Sequence, residues 1–224
     1  MGISIEQLCE TYPRLYHMAE ATSWPSISKH GLLSTSGLLD LYAINGKQRT
    51  LIESHHRPQS VVIKHPKYGS AVIRDQKPMR ESALLKCLVG CTPKQWYEFL
   101  NRRVFFWLTE ERVCTLLKAR AYRGDVHIVI IVDTESLLRV HGRASLLSPI
   151  NSGSTIYRPV SRGIASFQPP GSYPYAQRRK ARGKPYAIAE LAVDYSVPGI
   201  RDYVLRVERR RASKVLDILY SKRF

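Results

Sequence analysis

Acidic residues are scarce in this chain of 224 residues: 18 Asp and Glu stand against 35 Lys and Arg, a formal net charge of +17. A polyanion or an anionic ligand is therefore the expected partner, although a generically basic surface has the same balance. Cysteine is also sparse. Cys9, Cys87, Cys91 and Cys114 have no CxxC spacing, and the seven histidines supply no HxxxH pair, so no metal site is expected. No apolar run reaches about eighteen residues, and Met1 to Glu10 lacks a basic stretch leading into a long apolar one. The expectation is a cytoplasmic protein with reduced thiols and no membrane partner. Nothing reads as a linker or a repeat, which suggests residues 1–224 as one domain.

What is present reads as alternating helices and strands. Ile3 to Glu10 suits a short helix and Leu15 to Met18 a first strand. A helix capped by Ser23, with Pro25 in its first turn, would end at Gly31. Leu38 to Tyr42 reads as helical and Ser60 to Lys64 as a strand. Thr92-Pro93-Lys94-Gln95 combines a threonine cap, a proline at the first helical position and a capping-box glutamine. Arg102 to Leu108 has the aromatic and β-branched content of a strand, and Thr109 opens a helix to about Tyr122. Val126 to Val132, almost continuously apolar, predicts a central strand covered on both faces. Asn151 to about Lys184 shows neither period, and a segment of that kind is usually functional or disordered. Val204 to Val207 reads as a last strand and Ser213 to Tyr220 as a closing amphipathic helix.

The most informative run is Pro185 to Val193. Read as a strand, it places Tyr186, Ile188, Glu190 and Ala192 on one face, so that Glu190 is a lone acid among apolar neighbours. Such a carboxylate must be desolvated, paired or functional. Alternatively it sits at a strand rim, reaching water or an arginine. Basic clusters flank it: Arg178, Arg179, Lys180, Arg182 and Lys184 before, Arg201, Arg206, Arg209, Arg210 and Arg211 after.

Three stretches, in order, carry a resemblance. Leu15-Tyr16-His17-Met18 with Trp24 to Leu32 is similar to the opening strand and helix of NAD-consuming ADP-ribosyltransferases, an opening shared with RNA 2′-phosphotransferases. Arg103 to Leu108 resembles their aromatic strand. Ala189-Glu190-Leu191-Ala192-Val193, followed by Val197-Pro198-Gly199-Ile200, resembles the strand that presents the catalytic glutamate in DarT-type nucleic-acid ADP-ribosyltransferases. The resemblance covers most of the chain, though Leu38 to Cys91 only loosely.

That resemblance implies an α+β fold with a split central sheet and flanking helices around an NAD cleft. It also implies transfer of ADP-ribose from NAD to a nucleic-acid base or nucleotide. Glu190 would stabilise the oxocarbenium-like state, because a carboxylate near the ribose opposes the developing positive charge. His17 would hold the adenosine-side ribose, or else be a histidine satisfied at a strand end. Arg74 or Arg103 would clamp the pyrophosphate, arginine's planar fork suiting that task. Phe106 and Trp107 are the candidates for stacking on nicotinamide, although by alternation only one of them can point into the cleft. Where enzymes that modify protein side chains often carry Gln or Glu, two residues before the glutamate, this chain has Ile188, which favours a nucleic-acid acceptor. Tyr157, Phe167, Tyr173 and Tyr175, interleaved with Arg178, Arg179, Lys180 and Arg182, would bind that acceptor by stacking and phosphate contacts. The resemblance also allows an antitoxin or hydrolase partner in a toxin setting. An RNA 2′-phosphotransferase is the alternative enzyme, one that does not need the Glu190 strand. A non-catalytic nucleic-acid-binding module on the same fold is the alternative outside catalysis.

Overall fold

A computed structural model of the chain describes residues 2–156 and 159–222. The first half runs α1 (Ile5–Thr11), β1 (Arg14–Glu20), α2 (Trp24–His30), β2 (Leu32–Leu33), α3 (Thr35–Leu41), α4 (Gly46–Glu53), β3 (Val61–His65), β4 (Gly69–Ile73), α5 (Glu81–Cys87) and α6 (Pro93–Asn101). The second half runs β5 (Arg103–Trp107), α7 (Glu110–Lys118), β6 (Val126–Asp133), α8 (Thr134–His141), β7 (Ser145–Ser148), α9 (Tyr175–Arg182), α10 (Lys184–Ala187), β8 (Glu190–Asp194), β9 (Ser196–Val197), β10 (Val204–Arg211) and β11 (Lys214–Ser221). The fold is mixed α+β. Seven strands form one antiparallel sheet in the order β11-β10-β6-β1-β5-β8-β7, with helices flanking it. Among the described residues no helix is long and apolar enough to cross a membrane.

The apolar run of β6 explains its place inside the sheet. Ile128, Ile130 and Val132 pack on one face with Leu8, Trp24, Leu137 and Leu138, while Val129 and Ile131 pack on the other with Val113, Leu117 and Tyr122. A strand covered on both faces has no need of alternation. The capping box at Thr92 forms as its spacing predicts, each partner bonding the other's backbone amide.

One pairing positions the cleft. β1 pairs with β6 from Arg14 to Glu20, and β5 pairs with β8 from Arg103 to Trp107. Between β1 and β5 the register is a single pair, Tyr16 with Trp107. Beyond it the two halves of the sheet part.

Several expected elements differ. Residues 214–221 form an edge strand, not a helix: Ala212, in the left-handed region at φ 48°, turns the chain back on β10. The helical spacing of Val215, Leu216, Ile218 and Leu219 would need a core to face, yet all four stay exposed. Register shifts between Val207 and Glu208 and between Arg209 and Arg210 explain why the pattern lacks a clean period of two. The strand expected from Pro185 begins only at Glu190, because Gly183, at φ 76°, ends α9 and a short helical turn follows. The segment before it contains α9, whose arginine-rich sequence hides its helical period. α7 stops at Lys118. Ser23 does not cap α2, because its hydroxyl donates to the Glu20 carbonyl instead.

Candidate functional site

Where β1 and β5 separate, a cavity of about 380 Å³ opens. β1 contributes His17 to Glu20, β5 contributes Arg103, Val104, Phe105 and Trp107, and Arg74 follows the end of β4 into the same wall. The turn Asn151-Ser152-Gly153 and Glu190 complete this part of the lining. His17, Arg74, Arg103, Trp107 and Glu190, five residues scattered along the sequence, therefore share one cavity.

Glu190 is the first residue of β8, set between Trp107 of β5 and Ser148 of β7. It is 4 % exposed, so it is not the rim acid that a plain packing role would allow. Oε1 accepts the Ser152 backbone amide at 3.1 Å. Oε2 has no hydrogen-bond partner among the described residues. Burial pushes the carboxyl up to about 7, with Ser152, Arg112 and Arg162 pulling it back toward the charged form. A buried carboxylate oxygen left without a protein donor is costly, so Oε2 is open to a hydroxyl or water that supplies one.

His17 sits in the fork itself. Its Nδ1 lies 2.7 Å from the carbonyl oxygen of Phe105. A carbonyl only accepts, so Nδ1 carries the hydrogen and Nε2 is left as an acceptor. Burial, reinforced by the charge of Arg74, lowers the imidazole to about 4, which keeps it neutral at physiological pH.

The two candidate arginines are held differently. Arg103 Nη1 donates to the Phe99 carbonyl at 2.7 Å, its guanidinium lies 3.5 Å from the Phe99 ring centroid, and Asp194 approaches to 3.7 Å. Arg74 has a long contact with the Met18 carbonyl at 3.5 Å and rests 5.0 Å over the Tyr122 ring, whose hydroxyl donates to Asp75 at 2.8 Å. Among the described residues no carboxylate forms an ion pair with Arg74. It is the freer cation of the two.

The aromatic assignments need correcting. Phe106 is fully buried in the core and backs His17 edge-on at 5.8 Å, so it cannot stack on a ligand. Trp107 and Phe105, two residues apart on one face, line the cavity instead. Phe167 is buried against Trp96, Phe99 and Phe105. Tyr173 is 1 % exposed and donates its hydroxyl to the Ala187 carbonyl at 2.5 Å, and Tyr175 is buried as well. None of these three rings can receive a base; they hold the segment against the core. Tyr157 lies outside the described residues.

On α9, Arg179, Lys180 and Arg182 are exposed, Arg178 is half-buried, and none of the four lines the cavity. The C-terminal basic cluster is largely neutralised: Arg210 is buried between Glu208 and Glu110, and Arg209 pairs with Asp217. Residues not foreseen are Phe105, Tyr122, the Asn151-Ser152-Gly153 turn and the buried Arg57, which is spent on the carbonyls of Ile52 and Arg74. Alternation with Trp107 was a sufficient signal for Phe105. The others meet the cleft only through tertiary contacts.

The chain matches the family described as "Family of unknown function (DUF7002)" over residues 13–204, a span that contains every cavity residue named above. No curated protein matches the chain.

Proposed function

The chain belongs to the DUF7002 family, and we propose that it is an NAD-dependent mono-ADP-ribosyltransferase with nucleic acid as acceptor. The observation that carries this reading is the free Oε2 of Glu190, a buried carboxylate oxygen without a hydrogen-bond partner among the described residues, on a side chain that lines the cavity at the fork. The ADP-ribosyltransferase-like character of the fold belongs to the same proposal, supported by the parting of β1 and β5 beside that residue.

The residues fit the co-substrate. Trp107 and Phe105 offer flat apolar surface for a nicotinamide ring, and Arg74 offers an unpaired guanidinium for a pyrophosphate. His17 presents Nε2 to accept from a ribose hydroxyl. Bound NAD would supply an electrophilic ribose carbon and nicotinamide as the leaving group. A cationic nicotinamide beside Glu190 favours its ionised form, countering the burial that raises its pKa. The carboxylate then opposes the positive charge growing on the ribose as the glycosidic bond lengthens, in a site with little water to screen it.

Nucleic acid as acceptor rests on the net charge of +17 and on the exposed cations of α9, which lead through α10 into the Glu190 strand. The test is incubation with NAD labelled in its adenosine half, together with DNA, RNA or protein, followed by mass spectrometry. Label on a nucleotide supports the proposal. Label on protein side chains alone, or none anywhere, removes it.

A further inference from the structure

The loop ahead of Glu190 contains a buried cation that the mechanism above does not use. Arg162 is 3 % exposed, and among the described residues no carboxylate forms an ion pair with it. Its guanidinium is spent on carbonyls. Nη1 donates to Ser154 at 2.6 Å and lies 3.3 Å from those of Asn151 and Ser152, while Nε reaches Val160 at 3.3 Å. Three of those carbonyls belong to the turn whose Ser152 amide holds Oε1 of Glu190. We infer that Arg162 is a positioning residue: it locks the turn of residues 151–154 so that Ser152 fixes one carboxylate oxygen of Glu190 while the other keeps no hydrogen-bond partner among the described residues.

The guanidinium stands on a fixed base. The Arg162 amide donates to Cys87 and its carbonyl accepts from Val89, each at 2.8 Å, tying it to the chain just after α5. Gly163 follows, and a Cβ there would lie 2.1 Å from the Val89 carbonyl oxygen, so only glycine permits this approach. The turn's other end is pinned by Thr155, whose amide donates to Pro78 at 3.0 Å and whose hydroxyl exchanges bonds with the Arg80 backbone. Burying a guanidinium with no carboxylate partner is costly, and stability alone would favour an apolar residue here. The arrangement makes sense if donors at two fixed places are needed, Nη1 on the turn carbonyls and Nε on Val160, a span that the single nitrogen of a lysine on its flexible stem does not hold.

The groups facing Glu190 are Arg112 from α7, Ser152 from the turn, Arg162 from the loop after it, Trp107 from β5 and Ser148 from β7. Losing Arg162 removes one of the two cations and loosens the Ser152 donor. The role assigned to Glu190 rests on the proposed transferase reading, but the experiment separates the two. Carboxyl-labelled glutamate, with E190Q to assign the signal, gives the Glu190 titration by NMR without any substrate, and hydrogen exchange gives the protection of the Ser152 amide. Arg162→Gln should raise the Glu190 midpoint by about one unit or more and speed Ser152 exchange. Arg162→Lys keeps the charge and should fold if the glutamine variant does not. It should still speed Ser152 exchange and, where NAD is consumed, lower kcat with KM little changed. A folded Arg162→Lys protein with wild-type Ser152 exchange and Glu190 titration would overturn the inference. An altered titration in a protein that never consumes NAD would sustain it while removing the transferase reading.

Discussion

His17 and Phe105 are joined by a side-chain bond where their strands are no longer joined by backbone: Nδ1 lies 2.7 Å from the carbonyl oxygen, His17 one residue and Phe105 two residues beyond the register pair of β1 and β5. The bond bridges the fork, sets the imidazole tautomer and leaves Nε2 free. Because the ring is lowered to about 4, its NMR signals should stay those of a neutral imidazole as pH falls through 6. A midpoint near 6.5 would show that the ring is not shut in the fork.

Phe106 and Trp107 are adjacent in sequence and opposite in role. Phe106→Ala opens a hole in the core and should cost about 3–5 kcal/mol in chemical denaturation. Trp107→Ala, at the cavity wall, should cost much less stability and weaken NAD binding. Equal losses of stability with unchanged NAD affinity would mean that both rings are packing residues.

Glu190 should make the protein less stable as pH rises. Its folded pKa of about 7 exceeds the ordinary carboxylate value of 4.5, so the folded state holds the extra proton between those limits. The stability gained by protonation is fully present below the unfolded value and is lost as pH rises through 7. Glu190→Gln should therefore be more stable than the wild type by about 3 kcal/mol at pH 8 and no more stable at pH 4. His17 runs the other way. Its lowered pKa makes acidification below about 6.5 favour the unfolded chain, down to about 4. Urea titrations of Glu190→Gln and His17→Gln across this range separate the two slopes.

Arg74→Ala should weaken NAD binding by about 10- to 100-fold, the usual consequence of losing a charge-assisted bond to phosphate. Arg103→Ala should weaken it less, since Asp194 and the Phe99 carbonyl already occupy that guanidinium. Calorimetry that reverses this order would move the phosphate role to Arg103.

On α9, the triple neutralisation of Arg179, Lys180 and Arg182 should flatten the salt dependence of oligonucleotide binding. Each lost phosphate contact removes roughly 0.7 to 0.9 from the slope of log affinity against log salt. Arg178, half-buried, is left in place to protect the fold. An unchanged slope would mean that the helix is a solvated face.

Much of the cleft was legible because its residues sit on strands with strong local signals. The aromatic content of β5, the capped helix before it and the apolar run of β6 each survive any tertiary context, so the positions of Arg103 and Trp107 followed. Glu190 stood out as one acid in an apolar run. Its strand was read too long, because Ile188 and Ala189 are buried without belonging to β8, and burial alone does not separate the two. The aromatics of residues 167–175 looked like a ligand surface because composition does not say which way a ring points. Only the contacts with Trp96, Phe99 and the Ala187 carbonyl decide it. Arg162 carried no signal among so many arginines. Its role arises from three carbonyls 8 to 11 residues away along the chain.

The central claim is that the free oxygen of Glu190 acts on NAD, and nicotinamide release from NAD by the wild type and by Glu190→Gln tests it most directly. Glutamine keeps the shape and can still accept the Ser152 amide, but it carries no charge. The account expects release to fall about 10²- to 10³-fold with NAD binding largely retained. Release at the wild-type rate from a folded Glu190→Gln protein, or none from the wild type with or without nucleic acid, would contradict it.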